Sequence, residues 1–240
     1  MNQPNSLQTA YGFEASPAAR NRVLRNTYWL LALSMVPTVL GAWIGVTTGF
    51  TRAMGPGMSA IVFLVGAFGF IAFLAIAFGF FYGIEKTKNS SMGVVLLLGF
   101  TFFMGLMLSR MLSMVLGLAN GWNLIALAFG GTAVIFAAMA AVATTTKRDL
   151  SGMGKFLFIG VIMLLVAGFA NIFLQLPAMM IVISLLAIGI FSAFILYDLK
   201  RVKDGEETNY ISATLAIYLD LYNIFQSLLS ILGIFGGSRD

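Results

Sequence analysis

Seven long apolar runs follow one another along this 240-residue chain, and they constrain its fold more than any other feature. Most are about 17–25 residues long, the length at which a helix rising ~1.5 Å per residue crosses ~30 Å of hydrocarbon. A membrane β-barrel needs short alternating strands, whereas these runs are continuous. The pattern predicts an all-α, polytopic membrane protein with seven transmembrane helices. The predicted spans are Tyr28–Thr48, Met58–Tyr82, Met92–Leu108, Trp122–Thr144, Lys155–Phe173, Ala178–Tyr197 and Ile211–Phe235.

The composition agrees with a membrane protein and removes several classes of chemistry. The chain is 60% hydrophobic and 10% charged, whereas a soluble domain is usually ~25% charged. It contains no Cys and no His, which excludes thiolate metal sites, cysteine nucleophiles, disulfides and histidine relays. No phosphate-binding, dinucleotide-binding or zinc-type motif is present. We therefore expect no enzymatic activity, no cofactor and no nucleic-acid partner.

The polar segments predict two regions and an orientation. Residues 1–26 are rich in Asn, Gln, Ser and Ala and predict a flexible cytoplasmic tail, which leaves residues 27–240 as a single membrane domain. The tail and the loops after the second, fourth and sixth runs together hold eleven Lys and Arg residues, whereas the opposite side holds three. The positive-inside rule then places the N-terminus in the cytoplasm. The last run begins with polar residues, so it could either span or re-enter.

Glycines at four-residue spacing predict close helix packing in the first two runs. Gly41, Gly45 and Gly49 lie in the first, and Gly79 and Gly83 in the second. Small residues at this spacing let two helices approach closely. Packing within one bundle is favoured over a dimer interface, because a seven-helix bundle needs many tight crossings.

Asp198 and Asp220 are carboxylates within or at the edge of apolar runs. A charged side chain at the bilayer centre costs ~2.5–3.5 kcal/mol on insertion scales, so such a residue needs a cavity, a partner or a proton. Asp198 lies about one turn from the loop that follows the sixth run, where Lys200 or Arg201 could pair with it. A purely interfacial ion pair is the alternative to a functional role at this position.

Asp220 lies deeper, about ten residues or ~15 Å into the last run. It belongs to a stripe of small and polar residues that step by three or four, while the intervening positions are largely Leu, Ile and Phe. In lipid such a stripe should face other helices or water, so the last helix should be central in the bundle. A buried Asp satisfied by Asn223 or by a backbone group is the alternative. The stripe is Ala213, Ala216, Asp220, Asn223, Ser227 and Ser230.

The two carboxylates could form a coupled pair, since a short loop makes the sixth and seventh helices antiparallel neighbours. Two carboxylates in a poorly solvated site cannot easily both ionise, and they then titrate together. Such a pair would sense protons. It would also offer oxygen ligands to a hard cation such as Ca²⁺, as transient metal ligands.

Several segments carry a family resemblance, which covers about residues 22–235. Most specific are Tyr197-Asp198, the loop Gly205–Tyr210 and the segment Tyr218–Gly233. With Gly130–Ala133, Thr145–Ser151 and Ala170–Ala178, they resemble the Bax inhibitor-1 family and its bacterial YccA-like branch.

The resemblance implies six helices around a central seventh and a pH-sensitive Ca²⁺ leak gated by Asp198 and Asp220. It also implies an inner-membrane location. We expect supporting polar groups from Tyr197, Arg201, Asn223, Ser227 and Asn171. The sequence departs from the family at Leu108–Met111, where the family often has a Gly-Pro pair, so the local helix geometry should differ there.

Two other functions remain open. The YccA-like branch suggests a modulator of an FtsH-type membrane protease, in which the bundle is a scaffold and the basic tail and loops make the contact. The two aspartates also superficially resemble an intramembrane aspartyl protease of the presenilin type. That family expects Gly-x-Gly-Asp at its second site, whereas this chain has Ile217–Asp220.

Overall fold

A computed structural model of the protein describes residues 16–49 and 59–236, with side chains described outside 59–70. Within these ranges the chain forms seven α-helices. On the described residues alone, six of them, α1 and α3 to α7, are long and apolar enough to cross a membrane, and the molecule is a polytopic all-α membrane protein. The helices are α1 Pro17–Thr48, α2 Ser59–Thr87, α3 Ser91–Leu116, α4 Gly121–Thr145, α5 Met153–Leu174, α6 Pro177–Asp204 and α7 Tyr210–Gly236.

The first helix begins earlier than the sequence pattern predicted. The Ser16 hydroxyl accepts a hydrogen bond from the Ala19 backbone N–H at 3.3 Å, and Pro17 occupies the first turn. Both are helix-start signals. The stretch from Pro17 to residue 26, predicted as flexible tail, is therefore helical. The predicted tail before residue 16, Arg52 and Arg239 lie outside the described residues.

The seventh helix is the centre of the bundle. Among the described residues α7 packs against α1, α2, α3, α4 and α6, whereas α5 packs against α6 alone. The helix buries Ile217, Tyr218 and Ile224 almost completely, and no residue of α5 is buried. At its end, Gly236 lies beside Asn120 and Leu124 at the start of α4. The last helix thus runs the full length of the bundle.

The basic segments gather at one end of the bundle. The Asn209 amide donates to the Lys88 carbonyl at 2.9 Å, which joins the α6–α7 loop to the α2–α3 loop. The Lys203 ammonium donates to the Thr144 carbonyl at 2.5 Å, near the end of α4. Arg20 of α1 lies against Gly205. This grouping is the one that the distribution of Lys and Arg predicted. We call it the basic end.

Glycine contacts join α1 to α3. A Cβ added at Gly41 would clash with the Phe102 carbonyl oxygen, and one at Gly105 would clash with the Thr38 carbonyl oxygen. Gly45 meets the Ser109 side chain in the same way. The predicted close packing within one bundle is confirmed for Gly41 and Gly45. It fails for Gly79, where nothing lies within 4 Å of an added Cβ.

The third helix continues through the segment that departs from the family pattern. It runs from Ser91 to Leu116 without interruption, and the Ser109 hydroxyl donates to the Leu106 carbonyl at 2.6 Å. Because Ser109 also faces Gly45, this departure adds a contact to the α1–α3 interface and does not break the helix.

The α1–α3 contact gives a test of the packing. Gly105→Ala should lower the stability of the bundle by about 1–3 kcal/mol, because the new methyl group meets backbone that cannot move aside. Thermal unfolding in detergent would measure the loss as a lower midpoint. Gly130→Ala is the matched control, since nothing lies within 4 Å of its added Cβ. Equal midpoints for both variants would contradict a rigid α1–α3 interface.

Candidate functional site

Asp198 lies on α6 near the basic end and is almost completely enclosed. Asp198 as a whole is 9% exposed to solvent. One carboxylate oxygen, Oδ1, lies 3.8 Å from Nη1 of Arg201, one helical turn further along α6. This distance is too long for a direct hydrogen bond. Among the described residues, Asp198 therefore has a nearby positive charge but no direct hydrogen bond to it.

Asp220 lies on α7 and is still more deeply buried, at 5% exposure. Its Oδ2 atom is enclosed and has no hydrogen-bond partner within the described part of the chain. The alternative reading, that Asn223 satisfies this carboxylate, is not what the structure shows. The Asn223 amide donates instead to the Leu219 carbonyl at 2.7 Å, within its own helix.

The packing of α6 on α7 brings the two carboxyl groups close enough to interact electrostatically. Leu199 of α6 and Ile217 of α7, both buried, belong to the same hydrophobic cluster. In a medium of low dielectric constant, two nearby negative charges repel strongly. Ionising both carboxyl groups in this packed arrangement would therefore cost more free energy than ionising one of them.

Arg201 connects Asp198 to the α6–α7 loop. Its Nε atom lies 3.7 Å from the Glu206 carboxylate and its Nη2 atom 4.0 Å from the Glu207 carboxylate. Its guanidinium also lies 5.6 Å from the centre of the Tyr197 ring. The predicted supporting residues Tyr197 and Arg201 are thus beside Asp198, and three carboxylates share one cation.

The other predicted supporting residues lie elsewhere. Ser227 is buried on α7, about two turns from Asp220. Asn223 helps to line a cavity of about 330 Å³ between α2, α3 and α7. Asn171 accepts a hydrogen bond from the Leu176 N–H at 3.1 Å and so closes the α5–α6 turn. That turn is at the opposite end of α6, ~30 Å from Asp198.

A second row of polar residues on α7 was missed by the sequence analysis. Thr214, Tyr218, Tyr222 and Gln226 are spaced four apart, so they lie on one face of the helix. The Tyr218 hydroxyl lies 2.9 Å from the Thr38 hydroxyl of α1. The Tyr222 hydroxyl donates to the Met104 carbonyl of α3 at 3.1 Å. The four-residue spacing was the available signal, and it marks the face that holds α7 against α1 and α3.

The site does not resemble a resident metal centre. No group of three or more acidic side chains able to hold an ion occurs within the described ranges. Ca²⁺ usually takes six to eight oxygen ligands. The two aspartates could contact a passing cation, but they do not form a cage for a bound one.

The chain matches one family model along most of its length. That model is described as "Inhibitor of apoptosis-promoting Bax1", and it matches residues 20–237. The modulator of FtsH protease YccA from Escherichia coli K12 is 41% identical, over 92% of each chain. A membrane protein of Vibrio cholerae is 41% identical, over 89% of this chain and 90% of its own. A Neisseria meningitidis protein is 37% identical, over 92% of this chain and 95% of its own.

The Asp220 carboxyl group has an oxygen without a partner among the described residues. We therefore expect it to lower the stability of the bundle. Asp220→Asn should stabilise the bundle by about 1–3 kcal/mol, because it removes the free-energy cost of ionising a buried carboxyl group whose Oδ2 atom has no partner in the described part of the chain. Thermal unfolding in detergent at neutral pH would show a higher midpoint.

Asp149→Asn is the contrasting control. Asp149 lies in the α4–α5 loop, where its Oδ1 accepts a hydrogen bond from the Ser151 N–H at 2.9 Å. That bond lowers the pKa of the Asp149 carboxyl, so its loss should not stabilise the protein. A lower midpoint for Asp220→Asn than for the unsubstituted protein would show that the carboxylate is well paired.

Proposed function

The chain belongs to the Bax inhibitor-1 family, and from that premise we propose that it is a pH-sensitive cation leak of the bacterial inner membrane. The observation that carries the proposal is the pair of buried carboxyl groups on adjacent helices, of which Asp220 has an oxygen with no partner in the described chain. The cation is Ca²⁺, which passes as cargo. In this proposal all seven helices span the membrane and the basic end faces the cytoplasm.

The gate follows from the electrostatics of the pair. While at least one of Asp198 and Asp220 stays protonated, α6 and α7 can remain packed together. When both groups ionise, their repulsion in a low-dielectric site favours separation of the two helices. The flux should therefore increase as the pH rises.

One face of α7 is held by hydrogen bonds to neighbouring helices, which limits how far α7 can move in response to this repulsion. Tyr218 and Tyr222 hold this face on α1 and α3, and the glycine contacts hold α1 on α3. In this proposal α6, which packs against α1, α4, α5 and α7, is the element that moves.

A second function, modulation of an FtsH-type membrane protease, is favoured by one specific observation. The E. coli relative named as a modulator of that protease is 41% identical over 92% of each chain. The surface available for such a contact is the basic end, where α1, the α4–α5 loop and the α6–α7 loop meet. This function needs no ion conduction.

The leak is tested with purified protein in liposomes that contain a fluorescent Ca²⁺ reporter. The unsubstituted protein should show a flux that increases with pH, because ionisation of the pair opens the gate. Asp220→Asn cannot develop the second charge, so its flux should stay constant with pH. Asp149→Asn, which changes an exposed loop carboxylate, is the control and should keep the pH dependence. A flux from Asp220→Asn that equals the flux of the unsubstituted protein at every pH would contradict the gate.

The protease contact is tested separately by co-purification of the protein with FtsH from bacterial membranes. Deletion of residues 1–15 retains Ser16 and the start of α1, so the bundle should keep its unfolding midpoint while association falls severalfold. Full association of the truncated protein would exclude a contact made by the residues before α1.

A further inference from the structure

We infer that Arg201 is the positioning residue for Asp198, and that Glu206 and Glu207 compete with Asp198 for its guanidinium. This inference rests on the proposed gate, because it concerns the charge beside one of the two gating carboxylates. It adds a point of control at the basic end, outside the apolar part of the bundle.

The backbone at the end of α6 brings the glutamates to Arg201. Gly205 has φ of 86°, in the left-handed region that favours glycine, and turns the chain back over the last turn of α6. The N–H groups of Glu206 and Glu207 then donate to the Arg201 carbonyl, at 2.9 and 3.2 Å. Backbone hydrogen bonds alone thus fold the loop around Arg201.

The Arg201 guanidinium has no preferred partner among the three carboxylates beside it. The three carboxylates lie 3.7–4.0 Å from different nitrogens of the guanidinium. Arg presents a fork of five N–H donors, and none of the three distances is short enough for a strong bidentate pair. The guanidinium is therefore divided among Asp198, Glu206 and Glu207, and it moves toward Asp198 when the glutamates are neutralised or bound elsewhere.

The three competitors differ in how accessible they are. The side chain of Asp198 is 11% exposed, that of Glu207 is 22% and that of Glu206 is 47%. Glu207 is also fixed by the Asn209 N–H, which donates to its Oε1 at 2.8 Å. The groups that act electrostatically on Asp198 are Arg201, Glu207 and Asp220. A cation or a basic partner that reaches Glu206 would thus act on Asp198 through Arg201.

A mutant cycle on Ca²⁺ flux from liposomes tests the competition. Arg201→Gln should change the flux about threefold, the size expected for a partly exposed ion pair. The change should be larger when Glu206→Gln and Glu207→Gln are both present, because Asp198 is then the only one of the three carboxylates left beside the guanidinium. The change should be absent in the Asp198→Asn background. Arg201→Lys keeps the charge and should restore the flux to within about twofold of the unsubstituted value. An equal effect of Arg201→Gln with and without Asp198 would overturn the inference.

A second readout separates this inference from the leak itself. If the unsubstituted protein conducts no Ca²⁺, the leak proposal fails, and the same cycle is measured by thermal unfolding. Arg201 and Asp198 should then still show a coupling that increases when both glutamates are neutralised. Arg148→Gln, which removes an exposed cation from another loop of the basic end, is the control and should show no coupling to Asp198. Absence of coupling between Arg201 and Asp198 in unfolding overturns the inference.

Discussion

The burial of Asp220 in an apolar helix is the constraint on which the arrangement of this bundle depends. Lipid cannot solvate a carboxylate, so the helix that carries it has to be covered by other helices. The remaining helices do so: α7 is packed against five neighbours, and Asp220 is 5% exposed. The cost of this carboxylate is compensated by extensive apolar burial along the same helix, from Ile211 to Leu229.

The two faces of α7 contact different neighbouring helices. This difference bears on how a change of charge on the carboxylates could move a helix. One face is fixed by the hydroxyl contacts of Tyr218 and Tyr222 to α1 and α3. The other face meets α6, which carries Asp198 and also packs against α1, α4 and α5. A change of charge on Asp198 or Asp220 therefore acts across the interface between α6 and α7. Lys203 at the end of α6 and Asn209 in the loop that follows it also join the segments of the basic end.

The sequence predicted the helices and the central position of α7 because length, hydropathy and the small-polar stripe are local properties. Ala213, Asp220, Ser227 and Ser230 are all buried, as the stripe requires. Helix ends were less predictable, since Pro17 and Ser16 start α1 within a polar segment. The sharing of Arg201 and the place of Asn171 were not predictable, because both depend on where a loop or turn returns in three dimensions. Tyr218 and Tyr222 were missed because their partners are backbone and hydroxyl groups on distant helices.

The central claim is that ionisation of Asp198 and Asp220 moves α6 relative to α7. The chain has no cysteine, so spin labels can be placed at Leu185→Cys and Phe235→Cys, exposed positions on α6 and α7, without other changes. Pulsed electron–electron double resonance in lipid would measure the distance between the two spin labels as a function of pH. The account predicts a longer distance at high pH, and a distance independent of pH when both aspartates are replaced by Asn. A distance that does not change with pH in the protein with both aspartates would contradict it.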